Sequence, residues 1–588
     1  MPVSKKVFSV IPDSPQDLVA GFKNELTAAL SQLDTQHIRE RIYSKDASLW
    51  KSDKPSQAKI ADRLGWLQLP QQSEDRVEDI TAFAAEVRKE GFRYAVLLGM
   101  GGSSLCSEVA RETFVTRRGY LKLFVLDDTD PASIKALEKQ IKPEKTLFIV
   151  ASKSGTTKES LSFFHYFYQQ VKPYAGRNAG SHFIAITDNG TPLAELGERY
   201  KFRRVFINPS DIGGRYSVLS DFGLVPMALM GIDIAAMMHS AVDMETLCRD
   251  TGAETNPGLD LGAEIGISQT MGRDKLTFVL SPSIAAFGYW VEQLIAESTG
   301  KEGKGIIPVN GETLGPPSVY GNDRVFIHIR VAGDRDTTQM RKLNALEEAG
   351  HPVVRVKIPD PVALGGEYYC WEVATAVAGL IIGINPFDEP NVAESKKNTE
   401  NLLEEWKGAK KFKETTSPAV READVSIYTG GAATALKGAA TSVSDFMGAF
   451  LQEIKAGDYV AMLPYFHQTD ARAGILQAWR MTIRDQYQVA TTLLQGPRYL
   501  HSTGQLHKGG PDCGLYIILT ADEKISLPIP GESYGFDVLH HAQAMGDFRS
   551  LSDKGRRVIR IHLGAEVDSG LAELMKQIRQ KRKANGRR

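Results

Sequence analysis

The segment 152–157 reads SKSGTT and places small hydroxyl side chains, one glycine and one lysine directly after an apolar run. The preceding TLFIVA (146–151) has the composition of a buried strand, and the following KESLSFFHYFYQQ carries apolar residues at helical spacing. The segment is therefore predicted to be a strand-to-helix turn. In an open parallel sheet, such a turn lies at the carboxyl end of its strand, where ligands bind.

The chemistry of this turn suits a phosphate monoester. The N–H groups at the start of the following helix carry partial positive charge and attract anions. The hydroxyl groups of Ser152, Ser154, Thr157 and Ser160 would add hydrogen-bond donors, and Lys153 would add a positive charge. The segment lacks the G-x-x-x-x-G-K-[ST] spacing of a P-loop. A capped helix start with incidental hydroxyls is the alternative interpretation.

A second turn, GMGGSS at 99–104, follows the apolar segment RYAVLL. Adjacent glycines let the backbone approach a ligand closely, so Gly102 and Ser103 are predicted to contact the ligand. A dinucleotide fingerprint G-x-G-x-x-G would require glycine at position 104, where the chain has Ser104. Dinucleotide binding is therefore disfavoured.

The bulk composition is typical of a soluble globular protein. With 42% hydrophobic and 24% charged residues the chain is of ordinary globular type, and 588 residues are enough for several domains. The 70 Lys and Arg residues balance 71 Asp and Glu residues, which gives no reason to expect nucleic acid or a membrane as partner. Four scattered cysteines indicate reduced thiols. Without a signal-peptide pattern or a long apolar span, a soluble cytoplasmic protein is expected.

The order of the elements predicts the α/β class. A mainly helical region at 1–90 precedes alternating strands and helices, and a second alternating series begins near residue 260, which suggests an internal duplication. We predict two doubly wound parallel sheets, each in a three-layer αβα domain, at 91–250 and 251–400. Residues 401–588 are interpreted as a largely helical extension with three strands that completes or embraces the second domain.

Four motifs resemble one family. GMGGSSL, ASKSGTTKES, DIGGRYSVLSDFGL and EQLIAESTGKEGKG occur in this order, and together they resemble glucose-6-phosphate isomerases, which are built from two sugar-isomerase (SIS) domains. The likeness runs from about residue 30 to 565 and is strongest to the isomerase half of bifunctional transaldolase/glucose-6-phosphate isomerases. The region before residue 90 is too short for a transaldolase (β/α)8 barrel. We therefore expect the isomerase part alone.

The resemblance implies an activity and an assembly. The expected reaction is the reversible conversion of D-glucose 6-phosphate to D-fructose 6-phosphate through a cis-enediol, a step of glycolysis and gluconeogenesis. It needs neither a metal nor a redox cofactor. A homodimer with sites at its interface is expected, because in relatives a histidine reaches across from the partner subunit.

The resemblance also assigns roles to residues near two of the motifs. Glu297 falls on the base that moves the proton between C1 and C2, and Gln293 falls on a substrate-contacting glutamine. Arg215 falls on the cation that stabilises the enediolate. From the residues alone, Glu297 also reads as a solvated glutamate at a helix end, and Arg215 as a partner in a structural salt bridge.

Ring opening is expected to require a lysine and a histidine. The segment NPFDEPNVAESKK matches the family pattern with Lys396 at the lysine position, and HSTGQLH favours His501, with His507 as the alternative. Relatives usually have Gln where this chain has Glu389, which puts a phosphate-binding role at that position in doubt.

Two alternatives to this assignment remain open in the sequence. A non-catalytic SIS protein that binds a sugar phosphate for regulation would share the phosphate turn. A relaxed isomerase would also accept mannose 6-phosphate, because discrimination at C2 depends on few contacts.

Overall fold

The computed structural model of the chain describes residues 15–72, 74–412, 417–438 and 440–585. These residues form two compact units. The first comprises the described residues up to Asp127 together with Gln140–Leu314 and Asn322–Glu389. The second comprises Asp128–Lys139, Gly315–Gly321 and the described residues from Pro390 onward.

The first sheet of the first unit has five parallel strands in the order β2-β1-β3-β4-β5. Its strands are β1 (Tyr94–Leu98), β2 (Lys122–Leu126), β3 (Thr146–Ala151), β4 (Phe183–Asp188) and β5 (Arg204–Asn208). Every residue of β3 and β4 is buried. Continuous burial explains why these segments read as unbroken apolar runs in the sequence.

The second sheet of this unit has four parallel strands in the order β7-β6-β8-β9. Its strands are β6 (Lys275–Leu280), β7 (Ile307–Val309), β8 (Arg324–Val331) and β9 (Val353–Ile358). In both sheets the first strand in the chain lies between the second and the third, and the fourth follows the third. The two predicted parallel sheets are confirmed, and their shared order supports the internal duplication.

The helices are, in chain order, α1 (Pro15–Thr35), α2 (Ile38–Tyr43), α3 (Lys54–Ala61), α4 (Glu74–Lys89), α5 (Leu105–Thr113), α6 (Pro131–Glu138), α7 (Lys158–Ala175), α8 (Pro192–Tyr200), α9 (Asp221–Met230), α10 (Ile234–Asp250), α11 (Pro257–Thr270), α12 (Phe287–Thr299), α13 (Thr337–Glu348), α14 (Leu364–Ile382), α15 (Val392–Ala409), α16 (Val443–Gln452), α17 (Asp470–Tyr487), α18 (Gly504–Gly509), α19 (Phe536–Asp553) and α20 (Val567–Asn585). Helix α14 is buried along almost its whole length and packs against α10, α11 and α12. Among the described residues, no helix combines the length and apolarity needed to cross a membrane.

The second unit contains α6, α15–α20 and a six-stranded sheet of its own. The strands are β10 (Val420–Glu422), β11 (Val425–Gly430), β12 (Tyr459–Tyr465), β13 (Ala490–Leu493), β14 (Gly514–Thr520) and β15 (Arg557–His562), in the order β10-β11-β15-β14-β12-β13. The three strands expected among its helices are therefore present. Among the described residues these strands pair with one another and not with β6–β9, so residues 401–588 do not complete the second parallel sheet.

Candidate active site

Glu297 lies in the last turn of α12, a helix with almost every residue buried. Gln293 stands one turn earlier on the same face, and its Nε2 donates a 2.9 Å hydrogen bond to Glu297 Oε2. Burial raises the pKa of Glu297 above its ordinary value, although the positive charge of Arg215 acts in the opposite direction. Glu297 is therefore not the solvated helix-end glutamate that its position in the sequence also allowed.

Arg215 reaches Glu297 from a short 3-10 turn, Gly214–Tyr216. Its Nη1 lies 3.3 Å from Glu297 Oε1 and 3.0 Å from Glu389 Oε2. Burial opposes the charge of Arg215, but the two carboxylates outweigh it and raise the pKa of the guanidinium. A permanent cation therefore stands directly beside the carboxyl group that is predicted to act as the base.

The orientation of Arg215 is fixed by further hydrogen bonds. Nε donates to Ser298 Oγ at 2.8 Å, and Nη2 donates to the carbonyl oxygens of Pro386 and Asp388 at 2.9 Å each. These contacts combine the two interpretations of Arg215, since it forms salt bridges and also presents a fixed positive charge. The sequence pattern did not single out Ser298, although its place directly after Glu297 was a usable signal.

A second buried cation stands near this pair. Lys301 Nζ lies 2.8 Å from Asp388 Oδ1 and also donates to the Asp388 carbonyl oxygen. Burial, followed by the repulsion of Arg215, lowers the pKa of Lys301 to about 8. The segment 386–389 thus holds both Arg215 and Lys301, an arrangement that sequence spacing does not reveal.

The glycine turn at 99–104 packs against the turn that carries Arg215. A Cβ atom added to Gly102 would lie 2.2 Å from the carbonyl oxygen of Gly214 and 2.9 Å from the amide nitrogen of Arg215. Only a residue without a side chain allows this approach, so Gly102 determines how close the backbone of Arg215 lies to the glycine turn. The neighbouring Ser103 is buried in the same turn.

The same turn is also adjacent to the hydroxyl-rich turn. Strands β1 and β3 are paired neighbours, with Leu98 opposite Val150, so the two turns leave the same edge of the sheet. A Cβ atom on Gly99 would lie 3.3 Å from Ala151 Cβ. Direct packing therefore links the SKSGTT turn, the glycine turn and the turn of Arg215.

Within the hydroxyl-rich turn, the side chains bond mainly to one another. Ser152 Oγ and Thr157 Oγ1 are 2.8 Å apart, and Ser154 Oγ lies 2.8 Å from Thr156 Oγ1. Thr157 directly precedes α7, yet its side chain does not cap the helix. The alternative of a capped helix start therefore finds no side-chain cap at Thr157, and the partial positive charge of the α7 N-terminus remains for an anion.

Two predicted phosphate-binding side chains have other partners. The ammonium group of Lys153 binds Asp188 and donates a 2.9 Å hydrogen bond to the carbonyl oxygen of Ser210. The hydroxyl group of Ser160 donates to the carbonyl oxygen of Ala151 at 3.3 Å. In this arrangement the charge of Lys153 is paired within the protein and not directed at a ligand.

The predicted ring-opening residues belong to the second unit. Lys396 is exposed on α15, and His501 is half-buried in a 3-10 turn, Arg498–His501. His507 is buried on α18, with ring centroids 5.6 Å from Tyr499 and 5.2 Å from Tyr516. Burial lowers the pKa of His507 to about 3, so this side chain stays neutral and is poorly suited to exchange protons with a substrate.

Comparisons with known proteins by sequence point to one family. A family model described as phosphoglucose isomerase matches residues 83–312, which include the SKSGTT turn, Arg215 and Glu297. A glucose-6-phosphate isomerase of Lactobacillus helveticus is 30% identical over 390 residues, which cover 58% of this chain and 87% of the relative. One of Carboxydothermus hydrogenoformans is 30% identical over 431 residues, covering 64% of this chain and 91% of the relative.

Solved structures show the same fold. A hypothetical protein of Thermus thermophilus superposes with a TM-score of 0.56 at 24% identity, covering 65% of this chain and 98% of that one. A glucose-6-phosphate isomerase of Chlamydia trachomatis superposes with a TM-score of 0.51 at 17% identity, covering 65% and 86%. With most of the length of its curated relatives matched at this identity, the chain belongs to the glucose-6-phosphate isomerase family.

Proposed function

We propose that the chain interconverts D-glucose 6-phosphate and D-fructose 6-phosphate. The observation that carries this proposal is the buried carboxyl group of Glu297, held 3.3 Å from a fixed guanidinium in a chain of this family. A raised carboxyl pKa brings the base closer to neutral pH, where general-base catalysis is most efficient.

The proposed proton transfer follows from these positions. The Glu297 carboxylate takes the proton from C2 of the open-chain aldose, and the electron pair forms the C1–C2 double bond of a cis-enediolate. Arg215 stabilises the negative charge on the C1 oxygen. The Glu297 carboxyl group then returns its proton to C1, while the C2 hydroxyl proton passes to the C1 oxygen and leaves a ketone at C2.

The remaining roles extend the proposal. The phosphate group binds at the N-terminus of α7 through backbone N–H groups and the hydroxyls of the SKSGTT turn, and Gly102, Ser103 and Gln293 contact the sugar. Lys396 and His501 open the ring. A regulatory binding protein would have no use for a buried base beside a fixed cation, which favours the enzyme.

We also propose that the chain acts in the cytoplasm as a homodimer. The homodimer rests on the likeness to family members in which a histidine crosses from the partner subunit, and the cytoplasmic location rests on the free cysteines, which suit a reducing compartment.

The direct test is Glu297→Gln, assayed with both sugar phosphates by coupled spectrophotometry. The amide keeps the size of the side chain but cannot accept the C2 proton, so kcat should fall by several orders of magnitude while unfolding stays cooperative. Glu302→Gln is the matched control, because Glu302 is half exposed and paired with Lys51. Near-native turnover of Glu297→Gln would refute the assignment.

A further inference from the structure

The second unit contains a cluster of four titratable side chains that have no role in the proposed isomerisation. Asp128 and Asp130 directly precede α6, Glu523 follows β14, and His540 lies in the first turns of α19. One ligand atom from each of Asp130, Glu523 and His540 can be chosen so that all three lie within 4.8 Å of one another. The segment before α6, the segment after β14 and α19 therefore converge on one point, and Asp128 adjoins this trio with its Oδ1 4.0 Å from His540 Nε2.

His540 is oriented as a metal ligand. Its Nδ1 lies 2.5 Å from Glu523 Oε1, a contact that places the ring proton on Nδ1 when the imidazole is neutral. Its Nε2 is buried, has no hydrogen-bond partner, and lies 4.0 Å from Asp128 Oδ1. In the neutral imidazole the Nε2 lone pair therefore faces Asp128, while a carboxylate holds the opposite side of the ring, as in carboxylate–histidine–metal triads.

The aspartates are held in place as well. The Ser133 hydroxyl donates to Asp128 Oδ2 at 2.6 Å and also lies 2.8 Å from His467 Nδ1. The Ala132 amide donates to Asp130 Oδ1 at 2.6 Å. The Asp130 amide also donates to Asp128 Oδ1 at 3.0 Å, so both oxygens of Asp128 are oriented by hydrogen bonds, as is common for carboxylates around a metal ion.

The charge of the cluster also favours a bound cation. Asp130 is 3% exposed, and the side chains of Asp128 and Glu523 are 16% and 22% exposed. Three carboxylates removed this far from water are costly unless positive charge compensates them, and one imidazole can supply a single charge. A divalent cation would neutralise two carboxylates and give His540 Nε2 a partner.

We propose that His540 Nε2 and the carboxylates of Asp128 and Asp130 bind one Zn²⁺ ion, with Glu523 as the positioning residue for His540. Mixed imidazole and carboxylate ligands suit Zn²⁺, whereas Mg²⁺ prefers oxygen ligands and keeps its water. The ion would stabilise the second unit by joining α19 to the start of α6.

The test is metal content of the full-length chain after chelator treatment, followed by equilibrium dialysis against Zn²⁺ or Mg²⁺. We expect one equivalent of Zn²⁺, no comparable uptake of Mg²⁺, and a higher Tm with Zn²⁺. His540→Gln and Asp130→Asn should abolish both the binding and the Tm shift. Asp130→Asn keeps the acceptor for the Ala132 amide, so the start of α6 is preserved.

Two further variants sharpen the result. Glu523→Gln should weaken Zn²⁺ binding by about 10–100-fold without abolishing it, because it removes only the group that orients His540. His562→Gln is the control, since His562 Nε2 pairs with Asp522 Oδ1 at 3.2 Å elsewhere in the same unit. Failure of the wild-type chain to take up Zn²⁺, or equal uptake by His540→Gln, would overturn the proposal whatever the isomerase activity.

Discussion

The carboxyl group of Glu297 is subject to opposing electrostatic influences. Burial and the negative charge of Glu389 raise its pKa, whereas Arg215 and the hydrogen bond from Gln293 lower it. Arg215 binds Glu297 and Glu389 through the same nitrogen atom. The charge at position 389 therefore acts on the base both directly and through the guanidinium.

This arrangement predicts the effect of Glu389→Gln, which installs the residue that the family resemblance leads us to expect at this position. Removing the negative charge should lower the pKa of Glu297 in two ways. It removes a direct repulsion, and it leaves Glu297 as the single carboxylate that pairs with Arg215 Nη1. Because the base works when ionised, kcat/KM falls as the pH drops through this pKa. The acid limb of the pH profile should therefore shift to lower pH. Glu302→Gln serves as control, and a limb that stays in place or moves upward would contradict the account.

Arg215→Lys tests the role of the guanidinium fork. A lysine keeps one positive charge but cannot bind Ser298, two carbonyl oxygens and two carboxylates together. We expect kcat to fall about 10²–10³-fold, as for loss of one oxyanion-stabilising group, with a smaller change in KM. Arg203→Lys, which alters an equivalent pairing with Glu90 at 2.7 Å, should leave both constants unchanged. A change confined to KM would argue against the enediolate role.

The sequence contained part of this site. Glu297 and Arg215 could be predicted because each stands in a compact motif whose neighbours indicate its chemistry. The bond between Arg215 and Glu389 joins positions 174 residues apart, and no local pattern encodes it. The partner of the Lys153 side chain could not be predicted either, because Asp188 belongs to the next strand of the sheet.

At the scale of elements, the structure depends on close packing between turns. The strands of the first sheet could be predicted from their apolar runs, and the turns after β1 and β3 from their composition. The approach of the glycine turn to Gly214 could not, because it depends on how α12 and the 3-10 turn at 214–216 pack beside the sheet.

Gly102→Ala tests this packing. The new Cβ atom would meet backbone atoms of Gly214, which cannot rotate away, so the Arg215 turn must shift. We expect a loss of about 1–3 kcal/mol in the free energy of unfolding, together with a clear fall in kcat. Gly214→Ala is the matched control, because a Cβ atom there meets no atom within 4 Å. Equal behaviour of the two variants in denaturant titrations and kinetics would contradict this view of the turn.

At the scale of the whole molecule, the two parallel sheets of the first unit were predictable because neighbouring strands follow one another closely in the chain. The sheet of the second unit was not. Its strand β11 pairs antiparallel with β15, and the two lie at opposite ends of the unit's main segment. Separate strands could be recognised in the sequence. Which strands pair in the sheet could not, because the paired strands are far apart in the chain and no local pattern specifies their pairing.

The proposed homodimer makes a prediction about complementation between subunits. If His501 serves the site of the partner subunit, a dimer of one Glu297→Gln subunit and one His501→Ala subunit contains one site with both wild-type residues. Co-expressed and co-purified mixed dimers should then recover activity that neither parent shows. Mixed dimers of Glu297→Gln and Arg215→Lys provide the control, because these two side chains are 3.3 Å apart within one subunit and no complete site can form. Mixed dimers with Glu297→Gln and His501→Ala that stay as inactive as their parents would show that His501 does not act across the interface.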